Sequence, residues 1–204
     1  MAHTMLTTPS YKKQQIPALM TESANKPALE CLLTRQQIQQ RVSELGMEIS
    51  RDFAGQTVVL VGVLKGAATF VADLARAITV DCTFDFLAVS SYGMAMHSNS
   101  VRLIKDVDQP VEDRNIILVE DILDTGRTLC CLKNVLLARQ PATLKIAALL
   151  DKPERRLCQI QADYVGFTIP NRFVVGYGMD FAERYRNLPD ICLMPEDAST
   201  DVWE

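Results

Sequence analysis

The sequence is short of histidine, paired cysteine spacings and long apolar runs, and each shortage removes a class of protein. Only two histidines occur in 204 residues, His3 and His97. A zinc centre built from His and Cys therefore has almost no ligands to draw on. The six cysteines, Cys31, Cys82, Cys130, Cys131, Cys158 and Cys192, never stand at CxxC spacing. They read as small core residues with free thiols in a reducing compartment. The longest apolar stretch, Thr57 to Leu64, falls far short of the ~18 residues that cross a bilayer. The polar start lacks the apolar core of a signal peptide, which predicts a cytoplasmic protein with no membrane partner. Nine glycines and nine prolines are too few for low complexity, and 48% hydrophobic with 23% charged residues is not a disordered composition.

Positive charge is also scarce, with 21 Lys and Arg against 25 Asp and Glu for a net charge of −4. Nucleic-acid surfaces need clustered positive charge, so no nucleic-acid partner is expected, although a local site can still capture a small anion. The length suits one sizeable domain with its own core.

Within that domain the apolar spacing alternates between strand and helix. Residues 1–30 carry Pro9, Pro17 and Pro27 without sustained periodicity, which predicts a mobile arm ahead of a single domain at 31–204. Thr34 and Gln37 have capping-box spacing, and Ile38, Val42, Leu45 and Ile49 form the stripe of a helix running to about Gly55. Thr57 to Leu64 reads as a buried strand, followed by Gly66 and the helical pattern Phe70, Val71, Leu74, Ile78. Thr83–Val89 and Val101–Ile104 read as strands around a polar loop, Ser90–Ser100. Asn115–Glu120 is a strand, Gly126–Arg139 a helix with Leu129, Leu132, Val135 and Leu136 inward, and Leu144–Leu150 a further buried strand. This order predicts an α/β fold with a central, mostly parallel sheet flanked by helices, and ligands at the carboxyl ends of its strands. The last part of the chain reads as short strands and loops forming a small flap on the main sheet.

The chemistry concentrates in Ile116 to Leu129, IILVEDILDTGRTL. A buried strand ends on Glu120 and Asp121, a third acid follows at Asp124, and Thr125, Gly126, Arg127 and Thr128 open a helix. Gly126 permits a close backbone turn, the threonine hydroxyls and free helix N–H groups donate to an anion, and the helix dipole favours a phosphate. Glu120 and Asp121 can then accept from a diol or hold a magnesium ion through water. The competing reading is an acid-rich turn with threonine as a helix cap.

These residues resemble the diphosphate-ribose signature of type I phosphoribosyltransferases, and the likeness extends to the hypoxanthine-guanine phosphoribosyltransferases. Leu64-Lys65-Gly66 resembles that family's pyrophosphate loop, Ser90-Ser91-Tyr92-Gly93 the start of its flexible loop, and Leu150-Asp151-Lys152 its purine-reading lysine segment. Ile169 to Leu188, IPNRFVVGYGMDFAERYRNL, is similar to its base-binding hood. The likeness covers roughly residues 34 to 194, and the motifs in order are more specific together than singly. It implies a type I phosphoribosyltransferase fold with a small hood built from the N-terminal helix region and residues 163–204.

The resemblance also implies roles. The Leu64-Lys65 peptide, often cis in the family, frees N–H groups for pyrophosphate, and Arg186 meets the same anion with a planar guanidinium. Lys152 donates to a purine 6-oxo group, Phe173 stacks on the base, the Val174 backbone reads its edge, and Asp180 approaches a second magnesium ion. Glu120, Asp121 and Asp180 are thus the implied Mg²⁺ residues, and Asp124 the general base for the purine N7 proton. The loop at Ser91-Tyr92 closes over the activated sugar. On residue type alone, Lys65 and Lys152 are loop lysines, Phe173 a core aromatic, and Asp180 and Arg186 surface charges. Glu183, Arg184 and Asp163 read as solvated face. The implied substrates are phosphoribosyl diphosphate and a 6-oxopurine, and the implied assembly a homodimer or homotetramer. Two other readings compete: a nucleotide sensor that binds RNA, against which Asp124 and the acidic balance argue, and an enzyme of this fold acting on xanthine or a pyrimidine.

Overall fold

The structure is a computed structural model and describes residues 29–90 and 102–195. Its first elements are β1 (Glu30–Leu33), α1 (Arg35–Asp52), β2 (Val58–Leu64), α2 (Ala68–Ala77), β3 (Cys82–Ser90) and β4 (Arg102–Lys105). They are followed by β5 (Asn115–Leu123), α3 (Arg127–Leu137), β6 (Thr143–Asp151), a 3₁₀ turn (Pro153–Arg155), β7 (Tyr164–Thr168), β8 (Val174–Val175) and β9 (Ile191–Leu193). The proposed N-terminal arm lies outside the described residues up to residue 28, and Glu30 instead opens β1.

Helix α1 starts where the capping box predicts. Thr34 Oγ1 accepts from the Gln37 N–H at 3.3 Å, and Gln37 Oε1 accepts from the Thr34 N–H at 2.9 Å. The reciprocal pair satisfies two of the donors that a helix start leaves open. Ile38, Val42, Leu45 and Ile49 are buried, and the helix stops at Asp52, short of Gly55 in the following turn.

Six strands form the main sheet in the order β4-β3-β2-β5-β6-β7, parallel throughout except for the antiparallel β3–β4 pair. Its inner strands are apolar on both faces, as a sheet covered on both sides requires. Val58, Leu60, Ile117, Val119, Ala147 and Leu149 pack with α1 and α2. Their alternates Val59, Val61, Ile116, Leu118, Ile146 and Ala148 pack with Leu129, Leu132 and Leu136 of α3. Each fully buried Leu or Ile contributes about 1.5–3 kcal/mol, so this sandwich holds the strand ends in place.

Several expectations are corrected. Strand β5 does not end at Glu120, because Ile122 and Leu123 still pair with Leu150 and Asp151 and carry it past both acids. Val135 is exposed, since it falls on the edge of the stripe that Leu129, Leu132 and Leu136 already fill. Cys192 is the buried cysteine, whereas Cys31 is exposed and the other four are half-buried. Asp163 is exposed, as expected, and its carboxylate also caps β6: Oδ2 accepts from the Ile146 N–H at 2.9 Å and Oδ1 from Lys145 Nζ at 2.8 Å.

The hood is smaller than expected. Tyr164–Thr168 pairs in parallel with β6 and belongs to the main sheet, and α1 packs on α2 beside that sheet. The separate sheet has the order β1-β9-β8 and is antiparallel, with Glu30 opposite Leu193 and Val174 opposite Leu193 on the other side. The N-terminal contribution to it is a strand rather than the helix region.

Candidate active site

Strands β2, β5 and β6 are parallel and adjacent, so Leu64, Leu123 and Asp151 release their loops on one side of the sheet. The hood covers that side. A cavity of about 260 Å³ opens there, lined by Asp121, Asp124, Lys152, Phe173, Val174 and Asp180 among others.

The loop after β5 is shaped by Gly126, which sits at the N-cap of α3 with φ +79°. A β-carbon there would come 2.6 Å from Ile160 Cγ2, so the backbone can lie close only because none is present. The first helical bond runs from the Cys130 N–H to the Gly126 carbonyl at 2.9 Å, which leaves the preceding N–H groups open to an anion. The loop is held from behind: the Thr125 carbonyl accepts from the Leu157 N–H at 2.9 Å, and the Asp124 carbonyl from Arg156 at 3.0 Å. Arg127 is exposed and Thr125 and Thr128 are half-buried.

Asp124 turns its carboxylate into the cavity. Arg155 Nε lies 3.2 Å from Asp124 Oδ1, yet off the N–H axis, so this buried oxygen has an electrostatic neighbour but no hydrogen-bond donor. Such an oxygen can accept a hydrogen bond from a ligand in the cavity. Across from it, Lys152 is the buried charged residue of the described chain, 5% exposed. Its Nζ donates to the Arg172 carbonyl at 2.6 Å, and burial pushes its pKa down, opposed by the charge of Asp124.

Phe173 is 54% exposed, so its ring is a surface of the cavity and not part of the core. The edge of Phe181 props it, with ring centroids 5.7 Å apart at 82°. Its carbonyl is used by the Met194 N–H at 2.9 Å, while Val174 is buried in β8 beside it.

The acids of β5 divide between the two faces of the sheet, because neighbouring strand residues alternate. Glu120 Oε2 is shut off from solvent without a partner, and burial, with the charge of Asp121, pushes its carboxyl well above the usual range. Burial likewise raises Asp121 to about 6, against the Ile122 N–H donor and Arg186, and Asp180 adds to the rise. Asp180 and Arg186 are paired at 2.7 Å. Arg186 also donates to the Gly178 carbonyl at 2.8 Å, and its buried Nε has no partner among the described residues. Glu120 thus keeps a buried oxygen without a donor, Asp121 accepts from the Ile122 N–H at 2.8 Å, and Arg186 keeps a buried N–H without a partner among the described residues, so charge of both signs gathers at this end of the sheet.

The Leu64-Lys65 peptide is cis. Lys65 Nζ donates to Glu183 Oε2 at 2.8 Å, and Glu183 stays solvated as expected while facing the loop. Of the flexible-loop residues, Ser90 ends β3, and Ser91, Tyr92 and Gly93 lie outside the described residues. Arg155, Phe181 and Glu183 were not anticipated in the sequence. Arg155 stands three residues after Lys152 in a Pro-Glu-Arg-Arg run, and that clustered charge behind a buried strand was the available signal.

Residues 29–182 match the phosphoribosyl transferase domain. The chain belongs to the phosphoribosyltransferase family. Within this family it is 46% identical over 167 residues to a hypoxanthine-guanine phosphoribosyltransferase of Streptococcus mutans, covering 81% of this chain and 93% of that one. It is 45% identical over 177 residues to the bifunctional protein TilS/HprT of Listeria monocytogenes, covering 86% of this chain but only 27% of that longer protein. A crystal structure of a hypoxanthine-guanine phosphoribosyltransferase from Bacillus anthracis superposes with a TM-score of 0.79 at 47% identity, over 81% of this chain and 98% of that one. The mostly parallel sheet with flanking helices is thus a phosphoribosyltransferase fold. Among the described residues no helix is long and apolar enough to cross a membrane.

Proposed function

We propose that the protein transfers the 5-phosphoribosyl group of phosphoribosyl diphosphate to N9 of hypoxanthine or guanine, giving IMP or GMP and pyrophosphate, with Mg²⁺. The observation that carries this reading is the buried Lys152 ammonium sharing one cavity with the Asp124 carboxylate and the exposed Phe173 ring. A 6-oxopurine lying on Phe173 offers its oxygen to the ammonium. Adenine offers an amino donor there and leaves the charge unpaired, which excludes it.

The α3 start holds the 5′-phosphate on its open N–H groups, and Glu120 and Asp121 accept from the ribose hydroxyls. As the bond from C1′ to the diphosphate oxygen breaks, N9 bonds to C1′ and the N7 proton passes to Asp124. Lys65 and Arg186 neutralise the charge gathering on the leaving pyrophosphate. For Mg²⁺ the Asp121 carboxyl, with the charge of Asp180 near it, and on the other face the buried Glu120 oxygen without a donor are the groups that would hold the ion. No three acidic, His or Cys groups converge among the described residues, which suits an ion that takes few carboxylates and completes its shell from phosphate oxygens and water. When bound, it supplies charge neutralisation at the diphosphate. The reading includes a cytoplasmic homodimer or homotetramer.

A spectrophotometric assay with phosphoribosyl diphosphate and Mg²⁺ on hypoxanthine, guanine, xanthine, adenine and uracil tests it. Turnover on the first two, absent on adenine and abolished by EDTA, is the expected result. No turnover on any base removes the catalytic reading.

A further inference from the structure

The hood meets the loop after β2 along a seam that includes Tyr177 and Gly178. One contact, Lys65 with Glu183, is 67% and 66% exposed at its two side chains and holds little by itself. The second is steric: a β-carbon on Gly178 would come 2.2 Å from the Gly66 carbonyl oxygen, so the hood turn rests directly on the loop. The third is buried. Tyr177, 5% exposed, donates its hydroxyl to Asp73 Oδ2 on α2 at 2.7 Å.

Both ends of that bond are rigidly mounted. On one side α2 grows out of the loop, with the Ala68 N–H donating to the Lys65 carbonyl at 3.2 Å and the Ala67 N–H to the Val63 carbonyl at 3.2 Å. On the other, the Tyr177 N–H donates to the Leu188 carbonyl at 2.8 Å and the Gly178 N–H to the Arg186 carbonyl at 3.0 Å. Tyr177 has φ +50°, a conformation costly for an aromatic residue, and it aims the phenol across the seam. Burial and Asp73 raise the phenol pKa, so it stays a donor at working pH. Asp73 is also paired with Arg76 on its own helix. Neither Tyr177 nor Asp73 lines the purine cavity.

We propose that Tyr177 and Asp73 are positioning residues for the diphosphate end of the site: their hydrogen bond sets the distance from the Leu64-Lys65-Gly66 loop to Asp180 and Arg186. This rests on the reading of that end as the pyrophosphate site. Loss of the bond loosens one half of the site and leaves the purine half, built on Lys152 and Phe173, as it was.

The test compares Tyr177→Phe, Asp73→Asn and Asp73→Leu with the unaltered protein. The readouts are KM for phosphoribosyl diphosphate, KM for hypoxanthine, melting temperature, and calorimetric binding of inorganic pyrophosphate with Mg²⁺. Tyr177→Phe should raise the diphosphate KM and weaken pyrophosphate binding about five- to tenfold, the worth of one buried hydrogen bond, with the hypoxanthine KM unchanged. Asp73→Asn keeps an acceptor oxygen and should stay near the unaltered protein. Asp73→Leu should reproduce Tyr177→Phe, and it serves alone if that variant does not fold. Unchanged pyrophosphate affinity, or both KM values rising together with a lower melting temperature, overturns the proposal. Absence of turnover on every base by the unaltered protein defeats the purine-transfer reading instead, and pyrophosphate calorimetry still decides this one.

Discussion

Asp121 occupies the space that a side chain on Gly66 would need: a β-carbon at residue 66 would stand 1.8 Å from Asp121 Oδ2. The loop after β2 and the acid on β5 therefore fit only while residue 66 is glycine. Gly66→Ala should displace the carboxylate and cost roughly 1–3 kcal/mol of stability by overpacking. The diphosphate KM should rise more than the hypoxanthine KM, and steady-state kinetics with denaturant titration check both.

Asp124→Asn keeps the shape of the side chain but removes its basicity. Turnover should fall about 10²- to 10⁴-fold, the usual contribution of a general base, with substrate affinities little altered. Equal losses in kcat and affinity would count against a role in proton transfer.

Lys152→Met removes the ammonium from the cavity and leaves the Arg172 carbonyl without that donor. The KM for hypoxanthine should rise about 10- to 100-fold, as expected for a lost charge-assisted bond, with the diphosphate KM unchanged. Discrimination against adenine should shrink, which competition between the two bases measures.

The β5 acids predict a pH dependence of the metal-free protein. Asp121 is raised from its ordinary 3.8 to about 6, chiefly by burial. Between those values the folded protein binds more protons than the unfolded chain, so this contribution is full below pH 4 and is lost as the pH rises through 6. For Asp121 the loss is roughly 3 kcal/mol. Melting curves of the unaltered protein and of Asp121→Asn should therefore converge at high pH differently from low pH, with the slope across this window reduced in the variant. On the proposed reading Mg²⁺ added at pH 7 should restore stability by binding the ionised carboxylates.

Much of this was legible in the residues. The capping pair Thr34 and Gln37 and the β-branched run of β2 give local, periodic signals, and the structure follows them. Two adjacent acids look like a strand end, whereas β6 alone carries the pairing of β5 on through Glu120, Ile122 and Leu123 after the β2 register stops at Val119. The Lys152 segment can be marked by its motif, but its burial under the Arg172 carbonyl cannot, since that contact joins residues 20 apart across a loop and a strand. The same limit hid Glu183 beside Lys65 and Tyr177 beside Asp73, separated by 118 and 104 residues. Side-chain pairs of that reach leave no periodic trace.

Strand β9 is the middle strand of the hood, flanked by β1 from the start of the described chain and β8 just before it. During synthesis the large sheet can assemble from segments already made, while β1 and β8 wait without a partner until Ile191–Leu193 emerges from the ribosome. The hood sheet is thus completed after the main sheet, and a product cut short before Ile191 lacks the strand that joins β1 to β8.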